Sequence, residues 1–352
     1  MSQLFAFSEY LLDGEPDAAG RQVDQLLWGY FLTPVTMAIV NLGIPAVLAD
    51  QALTAQEVAT AAGTAPEATA RLLAAGMAVG LLAADADGRF TLTDMGRWLR
   101  PDVSSVSDVT GFWQAPTVTA MFGLADQVRT GNQVDPAAPG GMWDYLGTHP
   151  EQAAKFFRAM GYVTSRMLAA LTAADYRPPA CQRIVDVGGS RGTLLAWLLT
   201  AAPEAAGVLF DRPESLAGAP DYLAGAGVAD RAELVTGNFL AQVPEGDLHV
   251  LSQVLHNWDD ERVAQIARNC RRSAWPGASL LVIEPVLPSV PEPAVGHMMD
   301  ILMMTLLGGR ERTREQHQAL IEPAGYTLAR EVPLHAGRGA QPPWQVLEFR
   351  RD

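Results

Sequence analysis

Short apolar runs and helix-forming stretches alternate along the second half of the chain. The runs are rich in β-branched residues and recur at the spacing of an α/β domain. They predict seven strands, at residues 184–187, 208–211, 233–236, 248–252, 279–284, 326–332 and 344–349. Helices separate the first five strands, so we expect one parallel sheet covered on both faces. Only the loop 335–343 separates the last two strands, which predicts an antiparallel hairpin at the edge of that sheet.

A different pattern, short helices followed by a hairpin, fills the first hundred residues. Helices are predicted at residues 35–42, 57–62 and 65–79. The second helix opens on a capping box, Thr54-Ala-Gln-Glu57, which is a sequence signature of a helix start. The turn Asp85-Ala-Asp-Gly88 lies between two apolar runs and predicts a hairpin over residues 81–93. Three helices and a hairpin are typical of a winged helix-turn-helix.

These patterns divide the chain into three predicted parts. Residues 1–105 are expected to form an all-helical winged-helix domain whose wing is the hairpin. Residues 106–180 are expected to be a helical linker, with a break near Pro139 and a capped helix over 148–167. Residues 181–352 are expected to form an α/β domain.

Composition and charge argue against a nucleic-acid partner. The 352 residues are 49% hydrophobic and 18% charged, which is typical of globular proteins, and the net charge is −14. Residues 1–100 hold five arginines, no lysine and eleven acids, and the helix 65–79 offers only Arg71 against Glu67. Such a module cannot neutralise several phosphates. We therefore interpret it as a subunit-packing domain, and we expect neither nucleic acid nor a membrane surface as a partner.

Cysteine usage and the N-terminal segment predict a cytoplasmic protein. Cys181 and Cys270 are the only cysteines, too few for a disulfide framework. Residues 1–10 contain no basic residue and do not resemble a signal peptide. The uncharged stretch 32–49 is interrupted by prolines and a glycine, which favours a buried helix pair over a bilayer span.

A glycine-rich turn follows the strand 184–187 and predicts a nucleotide-like cofactor. Gly188, Gly189 and Gly192 lack a Cβ, so the backbone can approach a ligand and the next helix can aim its N–H groups at it. The following strand ends on Asp211, 23 residues after Gly188, where a βαβ unit places an acid near ribose hydroxyls. The glycine spacing differs from the dinucleotide pattern G-x-G-x-x-G. The remaining alternative is an αβ turn that requires glycine for steric reasons alone.

A histidine stands where the strand 248–252 gives way to a helix, in Leu-His-Asn-Trp-Asp-Asp-Glu. Imidazole titrates near pH 6.5, so His256 can take a proton from a hydroxyl beside it. Glu284 and Glu311 are candidates to orient that ring. Alternatively, Glu284 is a strand-end charge in solvent and Glu311 a helix-capping residue. The acids 259–261 are interpreted as N-cap and first-turn residues, and no metal site is predicted.

Several motifs together identify a family. The chain contains D-V-G-G-S-R-G, F-D-R-P, G-N-F, L-H-N-W-D-D-E and G-G-R-E-R-T, in that order, behind a winged-helix module. Over nearly its whole length it resembles the small-molecule O-methyltransferases typified by plant caffeate and flavonoid enzymes and by bacterial enzymes of secondary-metabolite biosynthesis. The resemblance implies S-adenosylmethionine as cofactor, a homodimer formed through the N-terminal domain, and an aromatic or polyketide-like acceptor. It also implies that residues 106–180 contribute to the substrate pocket and that residues 181–352 are a Rossmann-like domain that binds the cofactor and carries out catalysis.

The resemblance also assigns roles to individual residues. Those implied in cofactor binding are Gly188, Gly189 and Gly192 for the methionine part, Asp211 for the ribose, Asn238 and Phe239 beside the adenine, Ser252 and Trp258 nearby, and Phe156, Met160 and Thr164 on a closing helix. His256 is implied as the general base with Glu284 and Glu311 beside it. The chain departs from the family pattern at Ser190, Asn238, Asn257 and Ser252.

The expected reaction is attack by a phenolic or enolic oxygen on the sulfonium methyl while His256 takes the proton. Positioning is expected to supply most of the acceleration. Methionines 298, 299, 303 and 304 are expected near an apolar acceptor pocket, with ordinary helix core as the alternative. Two competing functions are a non-methylating reaction, such as hydroxylation or a pericyclic step, on the same cofactor-binding fold, and a winged-helix regulator.

Overall fold

A computed structural model gives the fold of the protein. It describes residues 18–112, 115–131, 133, 141–290, 292–334 and 344–352. The predicted break at Pro139 and the hairpin loop 335–343 lie outside the described residues. The chain forms two compact units that divide near residue 113.

The N-terminal unit is a set of helices with a small sheet. Its helices are α1 (Ala18–Asn41), α2 (Ile44–Leu48), α3 (Ala55–Ala62), α4 (Pro66–Ala78) and α5 (Asp94–Arg97), with a 3-10 helix at Ser105–Phe112. Its strands are β1 (Leu53–Thr54), β2 (Leu82–Ala84) and β3 (Arg89–Leu92), in the order β1-β3-β2. The antiparallel pair β2–β3 confirms the predicted wing, and β1 adds a third strand to it.

Local sequence signals explain most of this unit. The capping box is present: Thr54 accepts a hydrogen bond from the N–H of Glu57, and the Glu57 side chain accepts one from the N–H of Thr54. The core between the helices holds Ile39, Ile44, Leu48, Val58 and Leu73. The helix predicted at 35–42 is the end of the longer α1, whose first half was missed because it exposes its apolar residues rather than showing one buried face.

The second unit is an α/β domain. Its helices are α6 (Ala115–Phe122), α7 (Leu124–Thr130), α8 (Gly141–Thr148), α9 (Pro150–Ala173), α10 (Thr193–Ala201), α11 (Ala219–Gly225), α12 (Asp260–Ser273), α13 (Gly296–Leu307) and α14 (Arg314–Ile321). Its strands are β4 (Arg183–Val187), β5 (Ala206–Asp211), β6 (Ala232–Thr236), β7 (Gly246–Ser252), β8 (Ala274–Leu287), β9 (Arg312–Thr313), β10 (Tyr326–Pro333) and β11 (Trp344–Arg351). Short 3-10 turns lie at Ala229–Arg231, Leu255–Asn257 and Glu322–Ala324.

One sheet organises this domain. Its strand order is β6-β5-β4-β7-β8-β11-β10, and the first five strands in that order are parallel. β11 runs antiparallel to β8 and β10 antiparallel to β11, which confirms the predicted terminal hairpin. The short β9 joins the end of β8, where Arg312 pairs with Val286.

Helices cover both faces of the sheet, as the pattern predicts. One buried cluster packs β4 and β7 against α9, α10 and α11 through residues such as Met167, Leu195 and Leu223. The other packs the opposite face against α12 and α14 through Val263, Ile266 and Ile321. The parallel strands β4, β5, β7 and β8 therefore bring their carboxyl ends to one edge, where α/β sheets bind ligands.

Candidate active site

The glycine turn joins β4 to α10 in a conformation that side chains rarely adopt. Gly188 and Gly192 have φ of 76° and 83°, and Ser190 has φ of 52°. A Cβ on Gly189 would overlap the Asp186 carboxylate, and one on Gly188 would lie 2.8 Å from Val254 Cγ2. Neighbouring side chains occupy the space that these Cβ atoms would need. The glycines therefore allow the turn to pack closely against the strand ends. The glycines are required by packing as well as by any ligand.

Asp211 ends β5 directly beside this turn. Its Oδ2 accepts a hydrogen bond from the N–H of Ser190 at 2.8 Å, and its Oδ1 accepts one from the N–H of Arg212 at 2.7 Å. The carboxylate is held by backbone at both oxygens and also accepts a hydrogen bond from the Ser215 side chain. Because a carboxylate has about four acceptor positions, it can still accept from another donor. Burial raises the pKa of Asp211 above its ordinary value, against the lowering effect of these hydrogen bonds.

A second carboxylate lies under the turn. Asp186 is almost completely buried, and its Oδ2 has no hydrogen-bond partner among the described residues. Burial, together with the charge of Asp211, raises the pKa of Asp186 to about 7. This acid is therefore partly protonated at neutral pH, and it supports the turn from beneath.

Two aromatic rings stand beside the turn at the ends of β6 and β7. Phe239 and Trp258 meet edge to face with ring centroids 5.9 Å apart. Phe239 Cε1 lies 3.7 Å from where a Cβ of Gly188 would be, so the aromatic pair adjoins the glycines. The indole Nε1 of Trp258 is buried, with no partner among the described residues.

Asn238 and Ser252 occupy the same strand ends but already have contacts within the protein. Asn238 Oδ1 accepts the N–H of Leu240 at 2.9 Å. Ser252 Oγ lies 3.3 Å from Sδ of Met167 on α9. The assignment of both residues to the cofactor stays a prediction.

Helix α9 runs past the glycine turn. A Cβ on Gly161 would lie 3.6 Å from Nη1 of Arg191, which belongs to the turn. Met160 and Thr164 flank this point and are partly exposed. Phe156, one turn earlier, is buried and meets Trp143 edge to face at 6.2 Å. Met160 and Thr164 thus lie on the stretch of helix that passes the turn.

His256 is buried at the carboxyl end of β7, in the 3-10 turn Leu255–Asn257. Its Nδ1 lies 2.8 Å from Oε1 of Glu311, which is also buried. Burial alone lowers the pKa of His256, but the charge and hydrogen bond of Glu311, with the charge of Glu284, outweigh it and raise the pKa to about 9. The carbonyl of Gln253 beside the ring also raises the pKa. Because Glu311 takes Nδ1, Nε2 is the ring nitrogen left to exchange a proton with a substrate.

Glu284 contacts the backbone of this turn. Its Oε1 accepts hydrogen bonds from the N–H groups of Val254, Leu255 and His256, at 3.0, 2.6 and 3.2 Å. Glu284 is 1% exposed, which rules out the alternative of a strand-end charge in solvent. Burial raises its pKa, while the positive charge of His256 lowers it. Glu284 fixes where the histidine emerges from the strand.

The segment 308–313 closes around the same turn. Arg312 is 1% exposed, and its guanidinium donates to the carbonyls of Leu255 and Trp258, at 3.1 and 2.8 Å, and to Asp260 at 2.7 Å. The N–H of Arg310 donates to the carbonyl of His256 at 2.9 Å. A Cβ on Gly309 would overlap that carbonyl. The backbone N–H and carbonyl groups of the turn are therefore held by hydrogen bonds with Glu284, Arg312 and Arg310.

Sequence reasoning assigned no role to three residues that build this site. Arg312 lies inside the quoted motif G-G-R-E-R-T, but nothing local distinguishes it from a surface arginine. Asp300 on α13 accepts the N–H of Glu311 at 2.8 Å and so orients the residue that pairs with His256. Arg191 lies over the ring of Tyr222 at 4.7 Å. Each acts through tertiary contacts that no short motif encodes.

The acids 259–261 lie at the start of α12. Asp259 accepts the N–H of Arg262 at 2.8 Å, which makes it the N-cap of α12 and confirms that interpretation. Within the described ranges, no three His, Cys, Asp or Glu side chains come together as a metal site requires.

The residues around the turn fit a cofactor with both a nucleoside and an amino-acid part. Ser190 Oγ, Arg191 Nε and Trp258 Nε1 are buried without partners among the described residues, and all three adjoin the turn or its aromatic pair. Buried polar atoms are normally paired, so they favour a polar ligand here. Asp211 offers acceptors for hydroxyls and Phe239 a flat surface. Fold and site together define a nucleoside-cofactor enzyme with a buried histidine–carboxylate pair.

Comparison with known proteins gives the family. Residues 122–327 match the sequence model of an O-methyltransferase domain, and residues 25–102 match that of an O-methyltransferase dimerisation domain. The chain belongs to the O-methyltransferase family, and it is an S-adenosylmethionine-dependent enzyme of that family. The predicted family, fold class, activity and cofactor are confirmed.

Three relatives illustrate the similarity. Phenazine O-methyltransferase PhzM of Lysobacter antibioticus is 34% identical over 89% of this chain and 92% of its own length. A crystallised O-methyltransferase of neocarzinostatin biosynthesis, in complex with S-adenosylmethionine and 2-hydroxy-5-methyl naphthoic acid, is 30% identical, with a TM-score of 0.77 over 91% of this chain and 96% of its own. The 8-amino-8-demethylriboflavin N,N-dimethyltransferase of Streptomyces davaonensis is 32% identical over 90% of this chain and 91% of its own length.

Proposed function

We propose that the protein methylates a phenolic hydroxyl of a small aromatic natural product, with His256 as the general base. The observation that carries this proposal is the buried pair of His256 and Glu311, 2.8 Å apart at the carboxyl end of β7. A histidine with a carboxylate on its far nitrogen is the arrangement that fixes the tautomer and stabilises the imidazolium. S-adenosylmethionine supplies the electrophilic methyl group when bound.

The raised pKa of His256 suits a phenol. Proton transfer is least costly when donor and acceptor have matched pKa values, and each unit of mismatch costs about 1.4 kcal/mol. A phenol titrates near pH 10, as tyrosine does, and His256 titrates at about 9. An ordinary histidine would be mismatched by roughly 3.5 units. Glu311 therefore makes the imidazole basic enough to hold the proton while the oxygen becomes nucleophilic.

The proton path involves only groups that the structure brings together. Nε2 of His256 takes the hydroxyl proton, and Glu311 stabilises the positive ring from the other side. Glu284 and Arg312 keep the backbone of the turn in place, so that the ring does not have to reorient during the reaction. The base contributes about 10²- to 10⁴-fold, and positioning of the reactants supplies most of the rest.

A hydroxyl acceptor is favoured over an aromatic amine. A neutral amine already carries its nucleophilic lone pair, whereas a phenol must lose a proton to become a strong nucleophile. A buried base with a raised pKa therefore assists the attack of a phenol, and it does not assist the attack of a neutral amine. The family also contains an enzyme named as an N,N-dimethyltransferase, so the two acceptors have to be compared directly.

Matched acceptors test this proposal. The purified protein is supplied with S-adenosylmethionine and with pairs of naphthalene and phenazine compounds that carry either a hydroxyl or an amino group at the same position. We expect methyl transfer to the hydroxyl member, with the product identified by NMR and mass spectrometry. Transfer to the amino member alone, or conversion without consumption of S-adenosylmethionine, would contradict the proposal.

We further infer a cytoplasmic homodimer with the proposed three-part division at residues 105 and 180. The dimer is supported by the apolar residues that α1 exposes, which are Val23, Leu26, Leu27, Tyr30 and Phe31. Among the described residues no helix is both long and apolar enough to cross a bilayer. The two cysteines are unpaired, which fits a reducing compartment. Sedimentation of the full chain at micromolar concentration tests the dimer.

A further inference from the structure

A buried histidine with no assigned role lies behind the catalytic turn. His317, on α14, is 0% exposed. Its Nε2 lies 3.8 Å from Oε2 of Glu284, the carboxylate whose other oxygen holds the backbone of His256. Neither Nε2 of His317 nor Oε2 of Glu284 has a hydrogen-bond partner among the described residues. Two buried groups of complementary chemistry thus face each other slightly beyond hydrogen-bond distance.

Burial and the neighbouring charges determine the protonation of His317. It faces Glu284 of β8, Arg312 of β9 and His256 of the 3-10 turn. Burial, followed by the positive charges of Arg312 and His256, lowers the pKa of His317 to about 3. The ring is therefore neutral and carries a single N–H donor. A carboxylate only accepts, so Glu284 is satisfied only by the tautomer that carries its proton on Nε2.

The state of Glu284 matters for the base. Its Oε1 accepts three backbone N–H groups, and a carboxylate accepts them more strongly when it is ionised. Its negative charge also raises the pKa of His256. A donor on Oε2 favours the ionised form, and loss of that donor favours protonation, because Glu284 is buried.

We propose that His317 is a positioning residue for the base: its Nε2–H donates to Oε2 of Glu284 and keeps that carboxylate ionised beneath the turn that carries His256. The contact closes with a side-chain movement of about 1 Å, from 3.8 Å to ordinary hydrogen-bond distance. His317 acts through Glu284 and touches no reactant. Its importance for methyl transfer rests on the proposed role of His256.

The first test is made on the unaltered protein. The six histidines are labelled with ¹⁵N and assigned by single His→Gln variants, and the ring nitrogen shifts report tautomer and protonation. We expect His317 to stay neutral between pH 6 and 9, with its proton on Nε2. A proton on Nδ1, or a charged ring in this range, would overturn the proposal.

The second test measures the titration of His256 in variants. His317→Phe should lower the pKa of His256 by about one unit, because Glu284 takes up a proton and its charge is lost. Glu284→Gln should lower it similarly, and the double variant should lower it no further, since both changes remove the same charge. His317→Gln keeps an N–H donor and should leave the pKa near the wild-type value.

A matched control separates positioning from packing. His249 is also 0% exposed and contacts the carbonyl of Pro244 and Ser273 instead of Glu284. His249→Phe should lower the melting temperature and leave the titration of His256 unchanged. If His317→Phe folds and the pKa of His256 in it equals the wild-type value, the proposal is wrong. If His317→Phe does not fold, the tautomer in the unaltered protein decides. Because the ring signals need no acceptor, these results do not depend on whether His256 is the base.

Discussion

Nδ1 of His256 and Oε1 of Glu311 lie 2.8 Å apart, and protein covers both side chains. Two distant segments of the chain meet in this pair, the end of β7 and the loop after α13. The contact sets both the direction and the basicity of the imidazole, so altering either partner should change the pH dependence of methyl transfer.

Glu311→Gln should shift that dependence to lower pH. Without the carboxylate charge, burial dominates and the pKa of His256 falls well below about 9. The rising limb of kcat/KM should move by two or more units to lower pH, and the plateau should fall about 10²-fold because the weaker base is mismatched with a phenol. Glu315→Gln, at a half-exposed glutamate nearby, is the control and should change neither. An unmoved limb in Glu311→Gln would contradict the pairing.

Arg312→Met should lower both the stability of the protein and the rate of methyl transfer. The variant leaves the carbonyls of Leu255 and Trp258 without their donor, and it removes the nearer of two arginine partners of the half-exposed Asp260. We expect a loss of roughly 2–4 kcal/mol in urea unfolding, with a lower kcat. Arg310→Met removes a half-exposed guanidinium 3.5 Å from the same aspartate and should cost less than about 1 kcal/mol. Equal losses in the two variants would show that burial of Arg312 is unimportant.

Gly189→Ala should weaken cofactor binding. The added methyl would overlap the Asp186 carboxylate and meet Leu209 Cδ1 at 2.5 Å, so the turn must move. We expect a loss of roughly 1–3 kcal/mol in stability and a higher Kd for S-adenosylmethionine by calorimetry. Gly225→Ala is the control because nothing lies within 4 Å of its Cβ position, and it should bind the cofactor normally. Normal binding by Gly189→Ala would show that the turn tolerates movement.

Asp186→Asn should make the protein more stable at alkaline pH than the wild type. The pKa of Asp186 is raised to about 7, so ionisation costs folding free energy as pH rises from about 4 to 7. The Asp186 carboxylate also accepts the backbone N–H of Leu195. The asparagine avoids the cost of ionisation and keeps an acceptor for that N–H. The stability difference should favour the variant increasingly over this range, by roughly 3–4 kcal/mol at most, and stay constant above it. Thermal unfolding without cofactor measures it, and a difference independent of pH would contradict the shift.

The strands of the large sheet could be predicted from the sequence because each strand is a short apolar run rich in β-branched residues. The seven predicted strands are all present, and Asp211, His256 and Glu284 were found because they stand where strands end. β9 was missed because two residues, Arg312 and Thr313, carry no periodic pattern.

The buried support of the site was beyond sequence reasoning for a physical reason. Arg312 and His317 are polar residues in polar contexts, and neither the two-residue strand β9 nor the pattern of α14 shows that they point inward. Arg312 is buried where β9 pairs with β8 and its guanidinium donates to the carbonyl of Leu255, and His317 is buried where α14 faces Glu284. Only tertiary packing determines which polar residue of such a segment is enclosed, whereas His256 and Glu311 were recognisable from the family motifs that contain them.

The most direct test of the central claim is the pH profile of methyl transfer to a phenolic acceptor, measured for the wild type, His256→Ala and His297→Ala. His297 is an exposed histidine on α13 and serves as the control. We predict that His297→Ala reproduces the wild-type profile with its rising limb at about pH 9, and that His256→Ala loses 10²- to 10⁴-fold in kcat together with that limb. A His256→Ala enzyme with the wild-type rate and the same limb would show that His256 is not the base.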